Sequence, residues 1–279
     1  MSRPVRIEFP GANYHVSNYG FDGNDIFLDE EDYLVFLNVL DMAVSRFEWK
    51  LHAYVLLNDH YHLVIESPKA NLSRGMRQLN GVYTQHFNRK HAENGSVFQG
   101  RFKSVLFEKG TYLKEICRHV VLNPVRLGTC SAPEKYRWSS FKATAGLIKG
   151  ASFLNYTDVL AEFGKRQKDN QRKFKKFVKE GVGEESPLDQ RSNQVLLGSD
   201  RFLRDMQSRL SGQRLAKRGP QRAGKRQSLD VLFRGVDQKS RDQRNLLIQK
   251  AHIEHGYTLM EIGEHTNLHY TTVSKVVNA

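Results

Sequence analysis

Cysteine is nearly absent from the 279-residue chain. Cys117 and Cys130 are its only two, too few for a disulfide framework or a thiolate zinc site, and that scarcity fits a reducing compartment. Long apolar runs are missing too. No window approaches the roughly 18 uninterrupted apolar residues of a helical membrane span, and the opening MSRPVRIEFPG lacks the apolar core of a signal peptide. A cytoplasmic protein without a membrane partner is therefore expected. Acidic residues are also in deficit, 30 Asp+Glu against 43 Lys+Arg, for a net charge of +13. Nearly all of that surplus falls in residues 165–244, which carry 22 Lys+Arg against 10 Asp+Glu. A field of that sign favours polyanions through counterion release, so nucleic acid is the first partner to consider. The alternative is a solvated charged linker.

What is present has a clear order. Residues 13–18 (NYHVSN) alternate apolar and polar as a strand does, and 29–47 repeat apolar positions at three and four with acids in the first turn, as a helix does. Residues 50–57 and 60–67 are strand-like on either side of Asn58-Asp59, a hairpin turn pair. Residues 71–91 have helical spacing with Asn71 or Ser73 as cap, 97–107 suit a strand, and 110–122 suit a helix ended by Asn123-Pro124. This β-α-β-β-α-β order predicts an α+β, ferredoxin-like antiparallel sheet over residues 1–150.

Residues 151–240 weaken into short helical patterns with Gly, Ser and basic runs, and 211–228 (SGQRLAKRGPQRAGKRQS) has the composition of an exposed linker. Periodicity returns in 241–279. There one helix is followed by two short ones around Thr266-Asn267, with Thr258 and His269 near their starts. Leu259, Ile262, Leu268, Val273 and Val276 would lock the pair, and the second helix would present Tyr270, Thr271, Thr272 and Lys275, as in a helix-turn-helix. A helical hairpin for dimer contacts is the other reading.

His60 and His62 lie two apart on a predicted strand, so they share a face about 6.6 Å apart along it. Two imidazoles so placed can grip one divalent ion, although such a pair alone is also a common surface or core coincidence.

Other motifs accompany it: the opening PVRIEFPGANYHV, LLNDHYHLVIES at 56–67, NLSRGMRQLNGVYTQHFNRKH at 71–91, VFQGRFKS at 97–104, LNPVRLG at 122–128 and YRWSSF at 136–141. In this order they resemble the single-tyrosine HUH transposases, specifically the REP-associated tyrosine transposase branch, over residues 3–145. The resemblance implies a DNA-processing enzyme in which His60, His62 and Asn123 hold Mg²⁺ or Mn²⁺ against the scissile phosphate of single-stranded DNA. It also implies a tyrosine nucleophile one helical turn before Asn123, where this chain has His119. Three readings follow: a site that only binds DNA, a metal-assisted hydrolase using His119 as base or ligand, or attack by Tyr112 or Tyr83. Tyr112 is about 10 Å up the same helix from His119.

Arg74, Arg77, Tyr83, Arg89 and Lys90 on the helix after the histidine strand, with Arg101 and Lys103 on the next strand, form the cluster expected to meet phosphates and stack on bases. The expected partner is DNA, as single-stranded hairpin or palindromic ends, with duplex engaged by the tail; oligomeric state stays open. The expected function is metal-dependent cleavage and strand transfer in DNA transposition. The alternatives are a catalytically inactive HUH-fold binder or regulator, and an RNA-binding or toxin-like ribonuclease.

Overall fold

The computed structural model describes residues 6–190, 195–217, 227–235, 240–253, 255, 257 and 259–277. They form two compact units, Met1–Gln207 and Ser208–Ala279.

The first unit begins with β1 (Ala12–Tyr19) and α1 (Glu30–Phe47). A capping box starts α1: the Asp29 carboxylate accepts from the Asp32 N–H at 3.1 Å, and the Asp32 carboxylate accepts from the Asp29 N–H at 3.3 Å. β2 (Lys50–Leu57) and β3 (His60–Ser67) form a hairpin closed by Asn58-Asp59, followed by α2 (Leu72–His91), β4 (Lys103–Phe107) and α3 (Lys109–Arg126). The sheet order β2-β3-β1-β4, antiparallel throughout, is that of a ferredoxin-like fold.

Two expectations are corrected locally. Of 97–107 only Lys103–Phe107 is strand, with Phe98 forming an isolated bridge to Gly20. Pro124 does not end α3 but lies inside it. Proline brings no N–H to the Val120 carbonyl, yet the helix runs only two residues further, and Leu127 N–H closes on Asn123 O at 3.0 Å.

Strand alternation divides the sheet into two faces. On one, Tyr61 packs on Phe36 of α1 and donates to Asn80 of α2 at 2.7 Å. Gly75 makes this layer possible, because a Cβ there would sit 2.0 Å from the Trp49 ring. On the other face Val55, Val64, Val105 and Phe107 pack against Ile116 and Val120 of α3.

The chain beyond 150 differs from the linker expected for it. α4 (Phe141–Thr144), α5 (Thr157–Ala161) and α6 (Gln167–Glu180) extend the α3 layer. Phe141, Val159, Leu160, Phe174 and Val178 are buried in its core. β5 (Leu196–Leu197) then adds to β4 in parallel, pairing with Leu106 and Phe107, before α7 (Asp200–Lys217). The basic residues of α6 had masked an amphipathic helix whose apolar side chains are core. Of the stretch 211–228, residues 211–217 continue α7 and 218–226 lie outside the described residues.

The second unit holds α8 (Leu229–Leu232), α9 (Arg241–Ile253), α10 (Leu259–Thr266) and α11 (Tyr270–Val277). Its core is Phe233, Ile248, Ala251, Tyr257, Ile262 and Val273, with Leu259, Leu268 and Val276 packed against it. Asn267 takes the left-handed conformation (φ 53°) between α10 and α11, and the Leu268 N–H bonds to Gly263 O at 2.9 Å. Thr258 lies outside the described residues. Among these, no helix is long and apolar enough to cross a membrane.

Candidate active site

The α3 face of the sheet holds a cleft of about 810 Å³, lined by His15, Ser17 and Tyr19 of β1, His60 and His62 of β3, Lys103 of β4, and His119 and Asn123 of α3. The strand register builds it: Tyr19 lies opposite His60, Ser17 opposite His62, and Lys103 opposite Ser17. On α3, His119 and Asn123 reach it together because residues four apart share a helix face.

Each histidine of the pair is held at Nδ1. His60 donates from Nδ1 to the Asp59 carboxylate at 2.6 Å. His62 Nδ1 lies 2.9 Å from His15 Nε2, inside the sheet. The His60 and His62 rings meet edge to face with centroids 5.0 Å apart, and Tyr19 stacks on His60 at 4.9 Å and 18°. Burial first, then the neighbouring His15, His60 and His119, hold the His62 pKa well below its ordinary value, so the ring is neutral.

His119 is buried and tied. Arg126 donates to its Nδ1 at 2.8 Å, and the Ser186 hydroxyl lies 3.2 Å from the same nitrogen. A guanidinium only donates, so Nδ1 accepts and the ring proton of neutral His119 sits on Nε2. Burial, then the Arg126 charge, push its pKa down to about 4. Its lone pair is thus consumed by Arg126, which leaves His119 a hydrogen-bond donor toward the cleft.

The cleft is bordered by cations. Arg6, Arg101 and Lys103 all line it. Arg6 stacks on Phe102 at 3.4 Å, and its pKa is pushed down to about 10 by burial and then by Arg101.

Several expected residues lie elsewhere. Tyr83 is fully buried in the α1/α2 layer, donating to Ile26 O, and burial first drives its pKa far up. It reaches neither DNA nor the cleft. Lys90 is engaged by Asp29 at 2.6 Å, Glu31 at 2.9 Å and Asp32 at 3.1 Å. Arg74, Arg77 and Arg89 are exposed on α2, across the sheet from the cleft, and none lines it. Tyr112 is outside the cleft as well, its hydroxyl 3.4 Å from Gln190 Oε1. In the second unit, Tyr270, Thr271, Thr272 and Lys275 are all exposed on α11.

Sequence reasoning missed Asp59, His15, Tyr19 and Arg126. For His15 and Tyr19 the signal was available, since positions 15, 17 and 19 alternate onto one face of a strand.

The ferredoxin-like sheet thus carries a histidine pair on its hairpin strand, facing α3, the helix that follows β4. Residues 11–121 match the family model described as "Transposase IS200 like". Over this segment the chain is similar to the IS200-like transposases. No curated protein matches the sequence. Among solved structures, the chain is similar to one described as "Structure of the REP associates tyrosine transposase bound to a REP hairpin", with 16% identity and a TM-score of 0.46, covering 60% of this chain and 98% of that one.

Proposed function

We propose that this protein is a DNA transposase of the REP-associated type, which binds hairpin or palindromic ends and breaks and rejoins single strands beside them with a divalent metal. The observation that carries the reading is the anchoring of both histidines at Nδ1. The Asp59 bond fixes the His60 tautomer, and the 2.9 Å contact with His15 Nε2 occupies His62 Nδ1, so Nε2 is the nitrogen each ring would offer an ion. This donor set of two imidazoles and the Asn123 amide fits Mg²⁺ or Mn²⁺ and leaves coordination positions for water and phosphate. The bound ion would polarise the scissile phosphate and offset charge on its oxygens.

The chain's own residues supply the remainder. Arg6, Arg101 and Lys103 attract and orient the strand backbone along the cleft. His119 donates from Nε2 toward phosphate oxygens. The basic side of α6, with Arg172, Lys175, Lys176 and Lys179 around one shallow depression that Glu180 also lines, suits the phosphates of a hairpin stem. In the second unit, α10 and α11 act as a helix-turn-helix, and exposed Tyr270, Thr271, Thr272 and Lys275 meet duplex DNA.

A second reading is a DNA-binding descendant without catalysis, and the tied lone pair of His119 favours it. The test is incubation of the full chain with a labelled single-stranded hairpin and Mn²⁺, with chelator and with His60→Ala. The enzyme loses cleavage under both changes and keeps hairpin binding. Cleavage indifferent to both would sink the metal mechanism, and tight binding without cleavage would establish the second reading.

A further inference from the structure

We propose that Tyr19, at the end of β1, is the nucleophile of the strand-breaking step, replacing the helix tyrosine whose position His119 occupies. The inference rests on the reading of the cleft as a strand-cleaving site. Tyr19 lies opposite His60 in the register, lines the cleft and is 36% exposed there. Its ring is stacked on His60 at 4.9 Å, edge-on to His62 at 6.4 Å, with the Lys103 ammonium 4.8 Å from its centroid. A phosphate held by an ion on His60 and His62 would lie beside this phenol, with the Lys103 cation at hand for its charge. A nucleophile needs this proximity to the phosphorus and to the groups that stabilise it.

The other candidates are removed by their surroundings. Tyr14 is 1% exposed and its hydroxyl donates to Ile7 O at 2.8 Å. Tyr61 and Tyr83 are fully buried and bonded in the opposite layer. Tyr112 lies outside the cleft, and the His119 lone pair is held by Arg126 and Ser186.

In the step, a bond forms from Tyr19 Oη to phosphorus, and the bond from phosphorus to one flanking deoxyribose oxygen breaks. The phenol proton passes to that departing oxygen as it becomes a hydroxyl. One phosphodiester is exchanged for another, so no oxidant, reductant or nucleotide is consumed, and attack by a DNA hydroxyl reverses the step and rejoins the strand.

The test uses the full chain with Mn²⁺ and a single-stranded DNA hairpin labelled on its flanking strand. Denaturing gels with and without protease report covalent adducts, and peptide mass spectrometry locates them. The expected result is an adduct on the peptide containing Tyr19. Tyr19→Phe keeps the stacked ring and hairpin binding but lowers the adduct by about 100-fold or more, whereas Tyr112→Phe leaves it. An adduct on another residue, or one that survives Tyr19→Phe, overturns the assignment. Free cleaved ends without an adduct overturn it too, while leaving the metal-dependent nuclease reading intact. No cleavage with either Mg²⁺ or Mn²⁺ defeats both.

Discussion

Arg126 donates to Nδ1 of His119 at 2.8 Å, and the same guanidinium nitrogen reaches that residue's carbonyl at 3.2 Å. Burial first, and then the Arg126 charge, keep the ring neutral, with a pKa pushed down to about 4 from 6.5. Because the folded value is the lower one, the unfolded chain takes up a proton first as pH falls. The stabilisation is complete above the unfolded value and is lost between pH 6.5 and about 4. Urea unfolding should show the parent losing about 2 kcal/mol more than His119→Gln between pH 7.5 and about 5. Equal losses would contradict a buried neutral His119.

Asp59 and His15 hold the two proposed metal ligands from behind. Asp59→Ala and His15→Phe should each weaken Mn²⁺ binding by about 10- to 100-fold, read by paramagnetic resonance on the full chain. Unchanged affinity in both would remove His60 and His62 from the ion site.

Phe174 of α6 is 1% exposed within the core of the first unit. Phe174→Ala should cost about 3–5 kcal/mol in denaturant unfolding. A loss below about 0.5 kcal/mol, as surface substitutions give, would mean that α6 is a surface linker after all.

Gly75 lets α2 cross the Trp49 ring. An added methyl carbon would lie 2.0 Å from one ring carbon and 2.4 Å from the next, so Gly75→Ala should destabilise by about 1–3 kcal/mol despite alanine's better helix propensity. Thermal melts of the two proteins decide the sign.

Lys275 is exposed on α11. If α11 meets duplex phosphates, Lys275→Ala should weaken duplex binding across sequences and reduce the slope of log K against log salt by about 1. An identical slope would detach α11 from the duplex.

The four antiparallel strands and their helices were legible because alternation and three-four spacing are properties of short windows. The same logic exposes the error at Tyr83. It falls in the apolar stripe Leu72, Met76, Leu79, Tyr83 and Phe87, whose spacing buries it. Lys90 looked free because its partners, Asp29, Glu31 and Asp32, arrive from some 60 residues away in sequence and meet it only when α1 and α2 pack. β5 left no trace, since a two-residue strand has no periodicity. The histidine pair and Asn123 were readable by motif, but His119's state depends on Arg126 and Ser186, and Ser186 is brought in by the fold from beyond the family-matched segment.

β5 has a practical consequence for handling the protein. It covers the backbone of β4 at Leu106–Phe107, while bridges from Ser139 and Leu154 occupy β2 at Val55 and Leu51. A fragment trimmed to residues 11–121 would lose all three covers and bare both margins of the sheet to other chains. Such a fragment should precipitate or form intermolecular sheet, so the segment that matches the family model is shorter than the unit to express.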